Sequence, residues 1–443
     1  MHQSPLAVAA VLTMLVWLAL AAMIVLRIPV SRGDPRRVVP VLLALAAFLP
    51  TCVAAFRGVD LRGPSLGASA NVSRGLNALL LVGIALLMLR VAVNQLRATA
   101  SNAVLVALLL AYWVAEMVSD LANGLHPGAL SFYVLPFALV AALMFFPSPS
   151  AVLRTVLWTG FAVCAMSLGW AAIDAKHAFF LPTRYLGHFE VNRLAGVVSH
   201  PNTLGYVAGI SLICAFSIGL RRRTQLLVAM VCGGALVLSE SRGSWLGIAL
   251  VCAMALGAGG FGLAKARRLV PAYAVLVATC LGGVLALLFG PHSASLASAS
   301  GRAPIWRFAL NQWRDSPLLG IGPHAWGHLI ATGAVPASVG QAHNQFLESL
   351  LTLGVVGLAL LLAIFACWLL AATRAISATG EWVHIYLLLF VLVTSLFEAP
   401  LVLGGIDPRT WFLVCAVAAL RPASVLVASP VSARLTRVGV AST

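Results

Sequence analysis

Apolar runs of about 18 or more residues follow one another along this chain, each long enough to cross the hydrocarbon core of a bilayer as a helix. They bound the fold class: an all-α polytopic membrane protein forming one domain over residues 1–443, with no separate soluble domain. The runs fall near 5–27, 38–56, 75–95, 102–122, 128–146, 152–173, 194–220, 224–239, 244–264, 269–290, 346–372, 382–403 and 408–421. The last is short, so about 12 transmembrane helices are expected. The first run has no basic residue before it and Arg27, Arg32, Arg36 and Arg37 after it. A cleaved signal peptide carries its basic residues on the other side, so this run is expected to be retained.

Charge orients the spans. The chain has 28 basic and 12 acidic residues, and Lys176 and Lys265 are its only lysines. The clusters Arg221-Arg222-Arg223 and Lys265/Arg267/Arg268 lie in short connections and mark the cytoplasmic side. Segments 174–193, 239–244 and 291–345 then face outward, and the tail with Arg434 and Arg437 faces inward. No soluble basic region exists to carry nucleic acid. The eight cysteines all lie in apolar runs without a CxxC pair and are expected to be buried packing thiols.

Segment 291–345 is too long for a simple connector and is expected to be a large outer loop. Within it Pro304 can start a helix. Trp306, Ala309, Leu310 and Trp313 then share one face, and Arg307 and Arg314 lie off it. This pattern predicts an amphipathic helix on the membrane surface, with its tryptophans at headgroup level. Gly320-Ile321-Gly322-Pro323 supplies turn chemistry, and the remainder through Gly340 reads as a loop able to close over a cavity.

The polar residues that remain suggest chemistry at this outer face. His343-Asn344 stands where the outer loop meets an apolar run, followed by Gly354 and Gly357. An imidazole there can take a proton near neutral pH, where a lipid-linked substrate presents its polar head. The two glycines are expected to let a neighbouring helix approach closely. Outer carboxylates are few, and neither a DxD nor an HExxH motif is present, so no metal site and no cofactor are expected. Arginines take the place of a metal: Arg193 before His200-Pro201-Asn202, Arg242 within Glu240-Ser241-Arg242-Gly243-Ser244, and Arg302 ahead of Trp306. A guanidinium pairs phosphate oxygens in a fork, which suits a diphosphate.

These motifs together resemble the O-antigen ligase and Wzy-type polymerase superfamily. The resemblance rests on His343-Asn344-x9-Gly354-xx-Gly357, Arg193…Pro201-Asn202…Gly205, Ser241-Arg242-Gly243, and Gly301-Arg302…Trp306…Pro317-Leu-Leu-Gly-Ile-Gly322, in that family's order. By motif it covers roughly 185–360, and by architecture the whole chain. It implies a GT-C-like, metal-independent, inverting glycosyltransferase of the bacterial inner membrane, with its site facing the periplasm. The implied donor is an undecaprenyl diphosphate-linked glycan, and the implied acceptor is a sugar hydroxyl of lipid A–core. Carried onto this chain, His343 is the general base and Arg242, Arg302 and Arg193 hold the diphosphate, with Asn344, Asn202 and Trp306 in support. The strongly basic balance favours a ligase over the alternatives, an O-antigen polymerase or a protein O-oligosaccharyltransferase. A transporter or flippase is the reading from another class, with Asn77, Glu116 and Asp120 along a path. Against it, the chemistry-bearing residues gather at one face and not at the midplane.

Overall fold

The computed structural model describes residues 103–125, 149–186, 189–198, 200–260, 302–336, 339–401 and 409. The expected spans at 5–27, 38–56, 75–95, 128–146 and 269–290 lie outside the described residues, as does all of 408–421 except Arg409.

The described chain is mostly helical. Its helices are α1 (Ala103–Ala122), α2 (Pro149–Ile173), the single turn α3 (Ala175–Ala178), α4 (Pro201–Ser217), α5 (Arg222–Ser239), α6 (Arg242–Gly260), α7 (Ala303–Asp315), α8 (Ala325–Ala331), α9 (Gln345–Thr379) and α10 (Val383–Ser395). Each expected span within the described residues contains one of these helices, although within 194–220 the helix begins only at Pro201. Two segments, Val152–Ile173 and Gln345–Ser377, are long and apolar enough to cross a membrane; Arg242–Leu256 and Val383–Ser395 are shorter apolar helices. The core runs between α2, α4, α5, α9 and α10, with Trp368, Tyr206, Phe346 and Phe390 fully enclosed. Of the cysteines, Cys164, Cys214 and Cys232 are buried as expected, whereas Cys252 is exposed on α6.

Three expectations are corrected. The connection 174–193 is not featureless: β1 (Phe179–Leu186) and β2 (Phe189–Leu194) pair antiparallel with Phe180 opposite Arg193, so the fold is not strictly all-α. The helix expected over 382–403 stops at Ser395, consistent with Pro400, which disfavours helix in the residue before it. Finally, α7 does form where Pro304 predicted it, but Trp306 and Ala309 are buried. The Trp306 indole donates to Ala342 O at 3.0 Å, so it braces the protein interior and does not lie among headgroups.

The glycine pair after His343 also acts differently from expectation. Gly354 interrupts α9 with φ 66° and ψ −159°, a region open essentially to glycine alone. The atoms nearest to a Cβ there belong to the segment at Leu318 and Leu319 and not to a second helix; it would lie 2.2 Å from Leu318 O. Segment Pro317–Gly322 runs alongside the break and replaces its lost helical bonds. Val355 N–H donates to Pro317 O (2.9 Å) and Val356 N–H to Leu318 O (3.3 Å), while Leu351 O and Thr352 O accept from Ile321 N–H (2.9 Å) and Gly322 N–H (3.0 Å). Ser119 and Asn123, at the end of α1, add bonds to Thr352 O (2.7 Å) and Gly320 O (2.9 Å). Irregular backbone in an apolar helix persists only where such partners exist. This strap fixes α7 against α9, and with them the two helix starts that carry Arg302 and His343.

Gly354→Ala is expected to destabilise the protein by about 1–3 kcal/mol from backbone strain alone, with steric overlap in addition. Gly327→Ala, on α8 with open space around it, should be near neutral. Thermal midpoints of the two detergent-purified variants test this, and equal midpoints would refute the strap's role.

Candidate active site

Helix ends converge at one pole of the bundle. The N-termini of α4, α6, α7 and α9 and the C-termini of α5 and α10 meet there, and they bring most of the expected polar residues together around a carboxylate that sequence reasoning did not single out. Glu398 is 7% exposed, in the turn after α10. Its Oε1 accepts from Arg302 at 3.1 Å and from the amide of Asn202. Its Oε2 accepts from Gln341 at 2.9 Å and lies 3.5 Å from Arg409. The ring Nδ1 of His343 is 3.3 Å from both carboxylate oxygens. Burial alone raises a carboxyl, but the hydrogen bond and charge of His343, with the charges of Arg302 and Arg409, outweigh it here. The group is held well below the ordinary carboxylate range and stays ionised.

His343 is held in an unusual conformation. Its φ of 52° lies in the left-handed region, which a non-glycine residue adopts at a cost of about 1–3 kcal/mol and keeps only when its surroundings fix it. The residues on either side are fixed. Ala342 N–H donates to Glu348 at 2.6 Å and Ala342 O accepts from Trp306, while Trp326 donates to the other Glu348 oxygen at 2.8 Å. Asn344 caps α9 by accepting from Leu347 N–H at 3.0 Å and donates to Leu396 O at 3.3 Å. With the carboxylate opposite Nδ1, the proton of a neutral ring belongs on Nδ1. Nε2 is left with a free lone pair and has no partner among the described residues.

The three arginines expected to hold diphosphate are placed differently. Arg302 precedes α7, bonds Glu398 and donates to Phe397 O at 2.6 Å. Arg193, on β2, is 4% exposed; it donates to Ser239 O at 3.2 Å, to Glu240 O at 3.4 Å and to the side chain of Asn202. Asn202 thereby bridges Arg193 to Glu398. Arg242 opens α6 and is exposed, outside the Glu398 network, although its neighbour Gly243 backs onto Phe397. The hairpin also sets Phe180 edge-on to His200, with ring centroids 4.8 Å apart.

Glu398, Arg409 and Gln341 were missed. Glu398 lay inside an apolar run expected to be one span, where only its charge and the nearby Pro400 signalled otherwise. Arg409 lay in the short last run, and Gln341 had no distinguishing pattern. With two arginines touching one carboxylate, the pocket carries excess positive charge and suits an anionic ligand.

Fold and site define a helical membrane-type protein whose polar, arginine-rich pole pairs a histidine with a buried carboxylate. Residues 226–362 match the family model described as O-antigen ligase. Its members are ligase- or polymerase-type glycosyltransferases acting on lipid-linked glycans. The matched segment includes Arg242, Arg302, Trp306 and His343 and leaves Arg193, Asn202, Glu398 and Arg409 outside. No curated protein matches the chain closely enough to be named as a relative.

His200 yields a pH test. Its Nδ1 accepts from Asn202 N–H at 3.1 Å and caps α4, a role that needs a neutral ring. Burial lowers it to about 3; Glu398 opposes that shift, and Arg193, Arg409 and His343 reinforce it. The unfolded chain therefore takes up a proton that the folded one refuses, and stability is lost as pH falls below about 6.5. His200→Asn should keep the cap and lose this dependence. The expected result is a drop in thermal midpoint between about pH 7 and about pH 5 that is smaller in His200→Asn than in wild type. Equal drops would contradict it.

Proposed function

We propose that this protein transfers O-antigen glycan from undecaprenyl diphosphate to a sugar hydroxyl of lipid A–core, at the periplasmic face of the bacterial inner membrane. The observation that carries this reading is the orientation of His343, with Nδ1 on the Glu398 carboxylate and Nε2 open. A sugar hydroxyl is a poor nucleophile, and a base within hydrogen-bond reach makes it a better one.

In this reading the acceptor O–H gives its proton to His343 Nε2 as its oxygen attacks the anomeric carbon of the donor. The bond from that carbon to the diphosphate oxygen breaks, and the diphosphate leaves with the electron pair. Attack from the side opposite the leaving group inverts the anomeric centre. Arg302 and Arg242 stabilise the charge that develops on the diphosphate. Glu398 acts as a positioning residue, fixing the ring and stabilising the imidazolium, as the buried carboxylate does in an Asp–His pair. Arg193 and Asn202 support Glu398 from behind, and Asn344 and Trp306 hold the backbone that presents His343.

A transfer assay tests this reading. Purified protein receives the undecaprenyl diphosphate-linked glycan, with and without lipid A–core, in excess EDTA. Glycosylated lipid A–core is expected in EDTA from wild type, and His343→Ala should lose on the order of a hundredfold or more in kcat with little change in donor KM. Longer lipid-linked glycan formed without lipid A–core would mean a polymerase, and activity that EDTA abolishes would contradict the arginine chemistry.

Glu398→Gln distinguishes positioning from a merely structural role. Removing the carboxylate leaves His343 unoriented but frees Arg302 and Arg409 for the diphosphate. The expected split is a lower kcat together with a donor KM that is unchanged or lower. A higher KM at unchanged kcat would overturn the role given to Glu398.

A further inference from the structure

Glu348 is a second carboxylate close to His343, with hydrogen-bond partners of its own. It sits in the first turn of α9, after the cap Asn344. A capping-box glutamate stands three residues after the cap and returns to the cap's own N–H. Glu348 stands one residue later and reaches further back, where its Oε2 accepts from Ala342 N–H at 2.6 Å. This bond closes a loop around His343. The other oxygen, Oε1, accepts from the Trp326 indole at 2.8 Å.

Trp326 is itself held in place. It is buried at the start of α8, beside Phe308 of α7. Two residues earlier, His324 donates its backbone N–H to Asp120 at 3.2 Å and pairs with the same carboxylate through Nδ1 at 2.7 Å. Asp120 is fully buried at the end of α1. A line of contacts thus runs from α1 through α8 and Glu348 to the residue before His343. Trp306 takes the other side of that residue, through Ala342 O at 3.0 Å. Both peptide planes flanking Ala342 are fixed, and the φ of His343 is measured from the second of them. A left-handed conformation away from glycine persists only under such constraint.

We propose that Glu348 is a positioning residue for His343, holding Ala342 and Trp326 together so that the ring keeps Nδ1 on Glu398 and Nε2 open. The assignment rests on the transfer reading above and deepens it. Hydrogen bonds to a carboxylate are comparable in strength to the backbone strain they oppose here, so losing one is enough to let His343 leave the left-handed region. In this role Glu348 contacts no substrate and acts through His343 alone.

The test is a cycle of variants of the full chain in the transfer assay. Glu348→Gln keeps the size but has one oxygen and one NH2 group, so a donor now faces either Ala342 N–H or the Trp326 indole. A fall of about tenfold in kcat is expected, with donor and acceptor KM unchanged. In a His343→Ala background the same substitution should have no further effect, since no ring is left to position. Trp326→Phe removes only the indole donor, so kcat should fall less, about threefold; this variant reads the same link if Glu348→Gln does not fold. Combined with Trp326→Phe, Glu348→Gln should recover to the level of Trp326→Phe alone, because the amide oxygen can serve Ala342 while its NH2 no longer meets a donor. An equal loss with and without His343 would mean a merely structural carboxylate and overturns the assignment. A raised KM, a wild-type kcat in Glu348→Gln or no recovery in the double variant does the same. Wild-type kcat in His343→Ala would instead sink the transfer chemistry on which the assignment rests.

Discussion

A carboxylate taken out of water stays ionised only if cations and donors replace its hydration, and removing any partner of such a group is costly. Glu398 has that replacement in Arg302, Arg409, His343, Gln341 and Asn202. Asn202 comes from the start of α4, Arg302 from the start of α7, and Gln341 and His343 from the approach to α9. One buried charge therefore fixes where several helix ends lie relative to each other. It also fixes the chemistry of the pole. The arginines are held in a defined geometry, and the histidine is turned so that one ring nitrogen is spent on the protein and the other is not.

This arrangement would drift if α7 and α9 slid past each other, and the break at Gly354 prevents that. A continuous α9 would satisfy its own backbone and offer nothing to the strap. By opening at Gly354 it exposes two carbonyls and two N–H groups, and Pro317–Gly322 pairs with all four. The side chains of Ser119 and Asn123 extend the connection to α1. The polar groups at the end of α1 act in this scaffold, a sufficient account of Asp120 too, since it accepts from His324 N–H at 3.2 Å and pairs with its ring at 2.7 Å.

Apolar length located the helices within the described residues, because burying a run of that size leaves few alternatives. It did not locate their ends. Glu398 was hidden by the eleven apolar residues and the Thr394-Ser395 pair that separate it from His384, and Pro400 was the local mark that the helix had stopped. The amphipathic pattern of α7 correctly named Trp306 and Ala309 as covered, but a pattern cannot say whether lipid or protein covers a face. His343 and the arginines were legible as residue types at one pole. Which arginine is engaged by the protein and which is open depends on Glu398 and Asn202, contacts 96 and 9 residues away in sequence from Arg302 and Arg193. The hairpin at 179–194 gave no clear signal, because its role is to press Phe180 on His200 and deliver Arg193, both tertiary effects.

The unequal engagement of the arginines has a consequence for the transfer reading. Arg242 meets an arriving diphosphate with its full charge, while Arg302 must first loosen from Glu398. An interaction withheld in the ground state and released as charge builds on the leaving group lowers the barrier more than one made equally throughout. The release also serves the other half of the reaction. As Arg302 turns to the diphosphate, the charge of Glu398 is left to His343 and Arg409, at the stage when the ring holds the acceptor's proton. Proton arrival at Nε2 and charge departure with the diphosphate are then linked through one carboxylate, and neither arginine nor histidine alone can supply that link.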